Sequence, residues 1–192
     1  MSKLVKNTAY YTIGNFTSKA INFLLLPLYT AYLKTEEYGI VSSIQVLTGV
    51  LLIFFTLGLE RAIYRLFYDY DDEKGKKNFL GTVAISITIT SAVACGLLFI
   101  FKDFVSSIYQ SIEFYPYFSY GIVTAVFMTY EMVPKISLQV NEKARNYLIL
   151  SLLSLIFRVI PVFWYVVFLK GGAVGMLKGA MIGNGALLIF LI

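Results

Sequence analysis

Histidine is absent from this chain of 192 residues, and cysteine occurs once, at Cys95 inside an apolar run. That excludes an intrachain disulfide and any chemistry built on an imidazole base or a Cys/His metal site. Charge is also scarce, since Asp, Glu, Lys and Arg make up 14% of the residues. No G-x-x-x-x-G-K-[ST] loop is present, so direct nucleotide use has no motif behind it. What fills the chain is apolar: 58% of residues are hydrophobic, 17% aromatic, and the mean hydropathy is +0.75. An ordinary soluble domain is about 45–50% apolar even with glycine counted, so this composition is that of an integral membrane protein. The net charge of +5 does not point to nucleic acid, because the basic residues sit in short segments between apolar runs, where Lys and Arg set topology.

A membrane span needs about 20 mostly apolar residues, and six segments meet that: 8–33, 38–59, 79–101, 115–138, 147–169 and 176–192. The basic start MSKLVKNTAYY looks like that of a signal peptide, but the segment after it is too long and too polar and lacks a small-residue cleavage site. It reads as a retained first span. The expected fold is therefore an all-α membrane protein, a bundle of six transmembrane helices, and the short connections KTEE, NEKARN and KGGAVG predict antiparallel sequential neighbours. With the N-terminus in the cytoplasm, ten of the sixteen Lys and Arg fall on the inner side and four on the outer, a positive-inside bias. The remaining two, Lys19 and Arg158, lie near the middle of their spans.

Both central cations belong to polar stripes. In the first span Thr8, Thr12, Asn15, Lys19 and Asn22 recur at helical steps, and in the fifth Tyr147, Ser151, Ser154, Arg158, Pro161 and Tyr165 do the same. A cation at the centre of a transmembrane helix costs about 2.5–3.5 kcal/mol on insertion scales, so each stripe should face other helices or a watery cavity. The bland reading is internal charge balance, with Glu131 or Glu60 as the acid. The sharper reading is a cationic cavity lined by Lys19, Arg158, Asn15 and Asn22, in which Glu131 balances charge or carries a proton. Glu131 also stands four residues before Lys135, the favourable order for a helical ion pair, close to Pro134.

At the end of the second span, Arg61 and Arg65 share a helix face near the inner interface, suited to lipid head groups or to gating. The connection 61–78 carries Asp69, Asp71, Asp72 and Glu73, but its glycine falls at the seventh position from Asp69 and Leu80 stands where a calcium loop needs its last glutamate. It reads as a solvated cytoplasmic turn, and no metal is expected. In the sixth span Gly179, Gly183 and Gly185 indicate close helix packing, with Asn184 as the polar exception.

Three stretches carry a family resemblance: KNTAYYTIGN at 6–15, FLLLPLYTAYLKTEEYGIVS at 23–42 and LGLERAIYRLFYDY at 57–70. In this order and spacing they resemble the start of bacterial Wzx-like polysaccharide and oligosaccharide flippases, in the multidrug/oligosaccharidyl-lipid/polysaccharide exporter superfamily. The resemblance implies that the chain is one six-helix lobe of a two-lobed transporter, corresponding to the N-terminal half, in which lobes rock about a central cavity by alternating access. A second lobe, a second copy or a partner subunit would then complete it, and the end of the chain within ALLIFLI agrees with that expectation. It further implies a non-enzymatic role at the cytoplasmic membrane: a polyprenyl-diphosphate-linked oligosaccharide is moved outward, without a cofactor, beside a polymerase and glycosyltransferases. The alternatives are a cation-coupled drug or metabolite exporter, which would favour an acidic cavity, a membrane glycosyl- or acyltransferase, for which no catalytic motif stands beside a span, and a non-transporting assembly subunit.

Overall fold

In a computed structural model the backbone is described for residues 3–108 and 112–191, and side chains for all of these except 3, 4, 17–22, 24, 25, 28 and 108. Among the described residues regular structure is entirely helical, in the order α1 (Lys3–Tyr32), α2 (Thr35–Thr56), α3 (Leu59–Leu66), α4 (Glu73–Ile100), α5 (Lys102–Ile108), α6 (Ser119–Val140), α7 (Ala144–Phe163) and α8 (Gly172–Leu191). A helix of twenty residues is about 30 Å long, the depth of a bilayer's hydrocarbon core. Four of them meet both the length and the composition needed to cross a membrane: α2, α4, α7 with its continuation to Phe168, and α8.

Several boundaries differ from the sequence-based expectation. The second span was expected to reach residue 59, but α2 ends at Thr56 because Leu57 (φ 48°) and Gly58 (φ 70°) both take the left-handed conformation. Glycine enters that region without a Cβ clash, and a left-handed residue after the last turn is a common helix stop. Glu60, Arg61 and Arg65 therefore lie on the separate helix α3, not at the end of α2. The stretch 61–78 is correspondingly not a turn: it is largely exposed, but mostly helical. The Asp72 carboxylate accepts the Gly75 backbone N–H at 3.1 Å and caps α4, which begins at Glu73, ahead of residue 79. The fourth long helix begins later than residue 115, after a wide helical turn, Phe114–Phe118, broken by the extended Tyr115 (φ −102°, ψ 131°). Extended backbone is what a residue preceding proline favours, and Pro116 follows.

Short connections do not make every pair of sequential helices neighbours. α7 packs closely on α8, but α1 packs mainly on α7 and touches α2 only slightly; α2 instead lies against α6 and α4. The main core, around Phe55, Phe118, Ile122 and Val166, joins α2, α6 and the α7–α8 corner. A second cluster, with Ile63, Phe67, Val83, Ile87 and Ile136, docks α3 onto α4 and α6.

Contact between helices is closest where side chains are absent. A Cβ on Gly179 would stand 2.7 Å from the Val162 Cα, and one on Gly183 would fall onto the Phe157 carbonyl oxygen. Spaced four apart on α8, these glycines let the backbones of α7 and α8 meet, the small-xxx-small device of membrane helices. In the opposite direction, large apolar side chains point outward all around: Phe16, Phe23, Ile53, Ile85, Ile100 and Ile189 are each well exposed. Only 17% of the apolar window of α4 is buried within the bundle. Such a surface far exceeds the apolar patches that soluble monomers carry; together with the apolar helices it makes this a multi-pass membrane protein.

Candidate functional site

Where α1 and α2 diverge, a cavity of about 450 Å³ opens between them and α6, α7 and α8. Its wall is largely apolar, and its polar residues are few: Gln45 and Thr48 from α2, Thr124 from α6, Arg158 from α7 and Asn184 from α8, with the tyrosines Tyr29 and Tyr38 beside them. Of the two cations at mid-span, Arg158 is thus on the cavity wall. The side chains of Lys19 and Asn22 lie outside the described residues.

Arg158 is held from two sides. Its Nε donates to Asn184 Oδ1 at 3.0 Å and its Nη2 to Glu131 Oε2 at 2.8 Å, while the Asn184 amide in turn donates to the Ala180 carbonyl at 2.7 Å. The Asn184 orientation is thereby fixed, with its oxygen turned to the guanidinium. The other carboxylate oxygen of Glu131 forms an ion pair with Lys135 one turn along α6. Glu131 is 5% exposed, Lys135 26% and Arg158 37%, so the acid is the buried member and the arginine the one open to the cavity. Neither Glu131 nor Lys135 lines the cavity wall.

The local sequence explains why these groups meet. Arg158 and Asn184 approach because Gly183 sits beside Asn184: a Cβ there would lie 3.0 Å from the Arg158 Cα. Ser151 and Ser154, earlier on the same α7 stripe, are buried in the bundle, and Ser154 donates to the Leu150 carbonyl at 2.7 Å. Their part of the stripe is packing surface; of the stripe residues only Arg158 is among those lining the cavity.

The other residues singled out from the sequence lie elsewhere. Asn15 is exposed and accepts a hydrogen bond from the Tyr147 hydroxyl at 3.1 Å, a link between α1 and α7, and is not among the cavity-lining residues. Among the described residues the acid paired with Arg158 is Glu131; Glu60 makes no ion pair with it. Arg61 and Arg65 are exposed on α3, away from the cavity lining. Beside them Tyr64 donates to the Gln139 side chain and Tyr68 to the Val140 carbonyl at 3.0 Å, fastening α3 to the end of α6.

Gln45 and Thr48 were not foreseen as cavity residues. Gln45 is the one amide side chain in an otherwise apolar stretch of α2, the signal that could have marked it, whereas Thr48 also bonds the Ile44 carbonyl at 2.8 Å and looks like an ordinary helix threonine.

Residues 4–192 match the family described as "Polysaccharide biosynthesis protein". "Lsg locus putative protein 1" of Haemophilus influenzae is 32% identical over 118 residues, which cover 57% of this chain and 28% of that protein. An "Uncharacterized membrane protein" of the same organism is 33% identical over 97 residues, or 50% of this chain and 23% of that protein. The chain spans less than a third of the length of these curated relatives. No solved structure matches it.

Proposed function

Because this chain belongs to the polysaccharide biosynthesis protein family, we propose that it contributes one six-helix lobe to a transporter that moves a polyprenyl-diphosphate-linked oligosaccharide across the cytoplasmic membrane. The observation that carries this reading is Arg158: a permanent cation on the wall of an intramembrane cavity, braced by Glu131 and Asn184. A diphosphate offers the oxygens that a planar guanidinium binds in pairs. Amide and hydroxyl groups such as Gln45, Thr48 and Thr124 can exchange hydrogen bonds with sugar hydroxyls.

In this reading α1, α2, α4, α6, α7 and α8 are the six spans, the N-terminus is cytoplasmic, and a second lobe, a second copy or a partner subunit completes the cavity. Alternating access then follows from rocking of the lobes. The protein acts as a transporter and not an enzyme, passing its cargo from glycosyltransferases on one side to a polymerase on the other. Lys19 and Asn22 share a face of α1 and are assigned to the same cavity; Arg61 and Arg65 on α3 are assigned to anionic lipid head groups on the inner side.

The test is complementation in a strain whose surface polysaccharide depends on this protein. Arg158→Ala and Lys19→Ala are each expected to lower polymer at least roughly tenfold, the weight of one charge-assisted contact, with the amount of protein in the membrane unchanged. Normal polymer in both variants would remove the anion-contact reading.

A further inference from the structure

We propose that Glu131 is an exchangeable counter-ion: an anion of the phosphate-ester or pyrophosphate class entering the cavity takes over Arg158, while Lys135 keeps the carboxylate paired. This rests on the cavity being an anion site, and adds how that site fills and empties.

The arrangement is asymmetric in the way exchange requires. Arg158 is the exposed member on the cavity wall, and the buried Glu131 approaches it from behind. Among the described residues the guanidinium N–H groups beyond those bonded to Asn184 and Glu131 meet no acceptor, which leaves donors for a ligand. The second oxygen of Glu131 is already engaged by Lys135, which lies one helical turn away and off the cavity wall.

One carboxylate between two cations leaves the cluster a net positive charge in surroundings of low dielectric, and a second anion relieves it. Removing one partner from a buried ion pair ordinarily strands the other charge. Here Lys135 prevents that, so Arg158 can turn from Glu131 to a ligand without leaving the carboxylate unpaired. When the ligand departs, Glu131 is at hand to reclaim the guanidinium. A transporter needs both steps, since an anion held by an uncompensated arginine in the membrane would leave slowly.

The experiment is calorimetric titration of the full-length protein in lipid nanodiscs, with inorganic pyrophosphate and geranyl pyrophosphate as probes. Glu131→Gln removes the competitor and is expected to tighten binding on the order of tenfold. Lys135→Met leaves Glu131 to cling to Arg158 alone and is expected to weaken binding by a similar factor, although Lys135 does not touch the cavity. In the Glu131→Gln background the lysine loses its object, so adding Lys135→Met should change affinity less than about twofold.

Equal weakening by Lys135→Met in both backgrounds would show a direct charge effect and overturn the exchange. Binding by Glu131→Gln no tighter than the parent's, with Arg158→Ala abolishing it, would overturn the exchange and leave the anion site standing. Affinity unaffected by Arg158→Ala, or no binding by the parent and by Glu131→Gln, would overturn both. Should Glu131→Gln fail to fold, Lys135→Met decides alone: unchanged affinity rejects the proposal.

Discussion

Arg158 bonds a carboxylate and an amide from the rigid plane of one guanidinium, a fixed fork that no other side chain presents. Arg158→Lys keeps the charge but offers a single ammonium in place of a fork, so it should retain the Glu131 contact and lose Asn184. The expected cost is about 1–2 kcal/mol of stability, measured by thermal unfolding in detergent, with polymer levels between those of the parent and of Arg158→Ala. Asn184→Ala should cost at least as much, because it also removes the bond to the Ala180 carbonyl, and adding Arg158→Lys to it should cost little more, because the Arg158–Asn184 bond is then already gone. The centrality of Arg158 on a polar stripe was legible in the sequence, and so was the Glu131–Lys135 pair, whose spacing lies within one helix. The sequence left Glu131 and Glu60 as alternative acids for the central cations; that it is Glu131 that reaches across to α7 depends on how α6 and α7 cross. Asn184 stood out only as an amide among glycines.

Glycines set the spacing of the helices that hold this network. Gly183→Val would drive a branched side chain into the Phe157 carbonyl and separate α7 from α8. An overpacked site typically costs about 1–3 kcal/mol, and here the Arg158–Asn184 bond should go with it; a lowered unfolding temperature together with lost polymer is the expected result. The contrast is Gly81 on α4, around which there is open space. Gly81→Ala should leave polymer unchanged and raise stability by up to about 1 kcal/mol through helix propensity. Long helices were legible from apolar runs, but their ends were less so. The break at Leu57 and Gly58 hides inside LGLE, where helix-forming residues flank a single glycine, and α4 starts early because Asp72 caps it from within a charged stretch that reads as a loop.

As a whole, the bundle shows which loops share an end. The Glu37 carboxylate accepts the backbone N–H of Lys34 at 2.9 Å and that of Ala173 at 3.4 Å, joining the α1–α2 turn to the start of α8. Trp164 and Phe168, with ring centroids 4.9 Å apart and both exposed, lie near that end, while Tyr64 and Tyr68 lie with α3 at the opposite one. Aromatic side chains at both ends suit the two membrane interfaces. With Cys95 replaced by alanine, a cysteine at Lys170 should react with a membrane-impermeant maleimide in intact cells, and one at Lys76 only after permeabilisation; the reverse pattern would invert the proposed orientation. The helical, membrane-embedded character and the outward apolar surface were legible from composition, because lipid selects for them residue by residue. A cavity beside Arg158 was expected from its polar stripe, but the walls that α2 and α6 give it were not legible, since they depend on α1 leaving α2 to pack on α7.

That packing has a consequence for biogenesis. Tyr11 meets Tyr147 edge to face at 5.2 Å, Gly14 lies close to Leu148, and Tyr147 bonds Asn15, so the natural partner of α1 is a helix synthesised more than a hundred residues later. On the proposed six-span reading, α1 then remains beside the translocation machinery, or rests with its polar stripe provisionally covered, until α7 emerges. On that reading α1 would wait for its packing partner until most of this chain had been made.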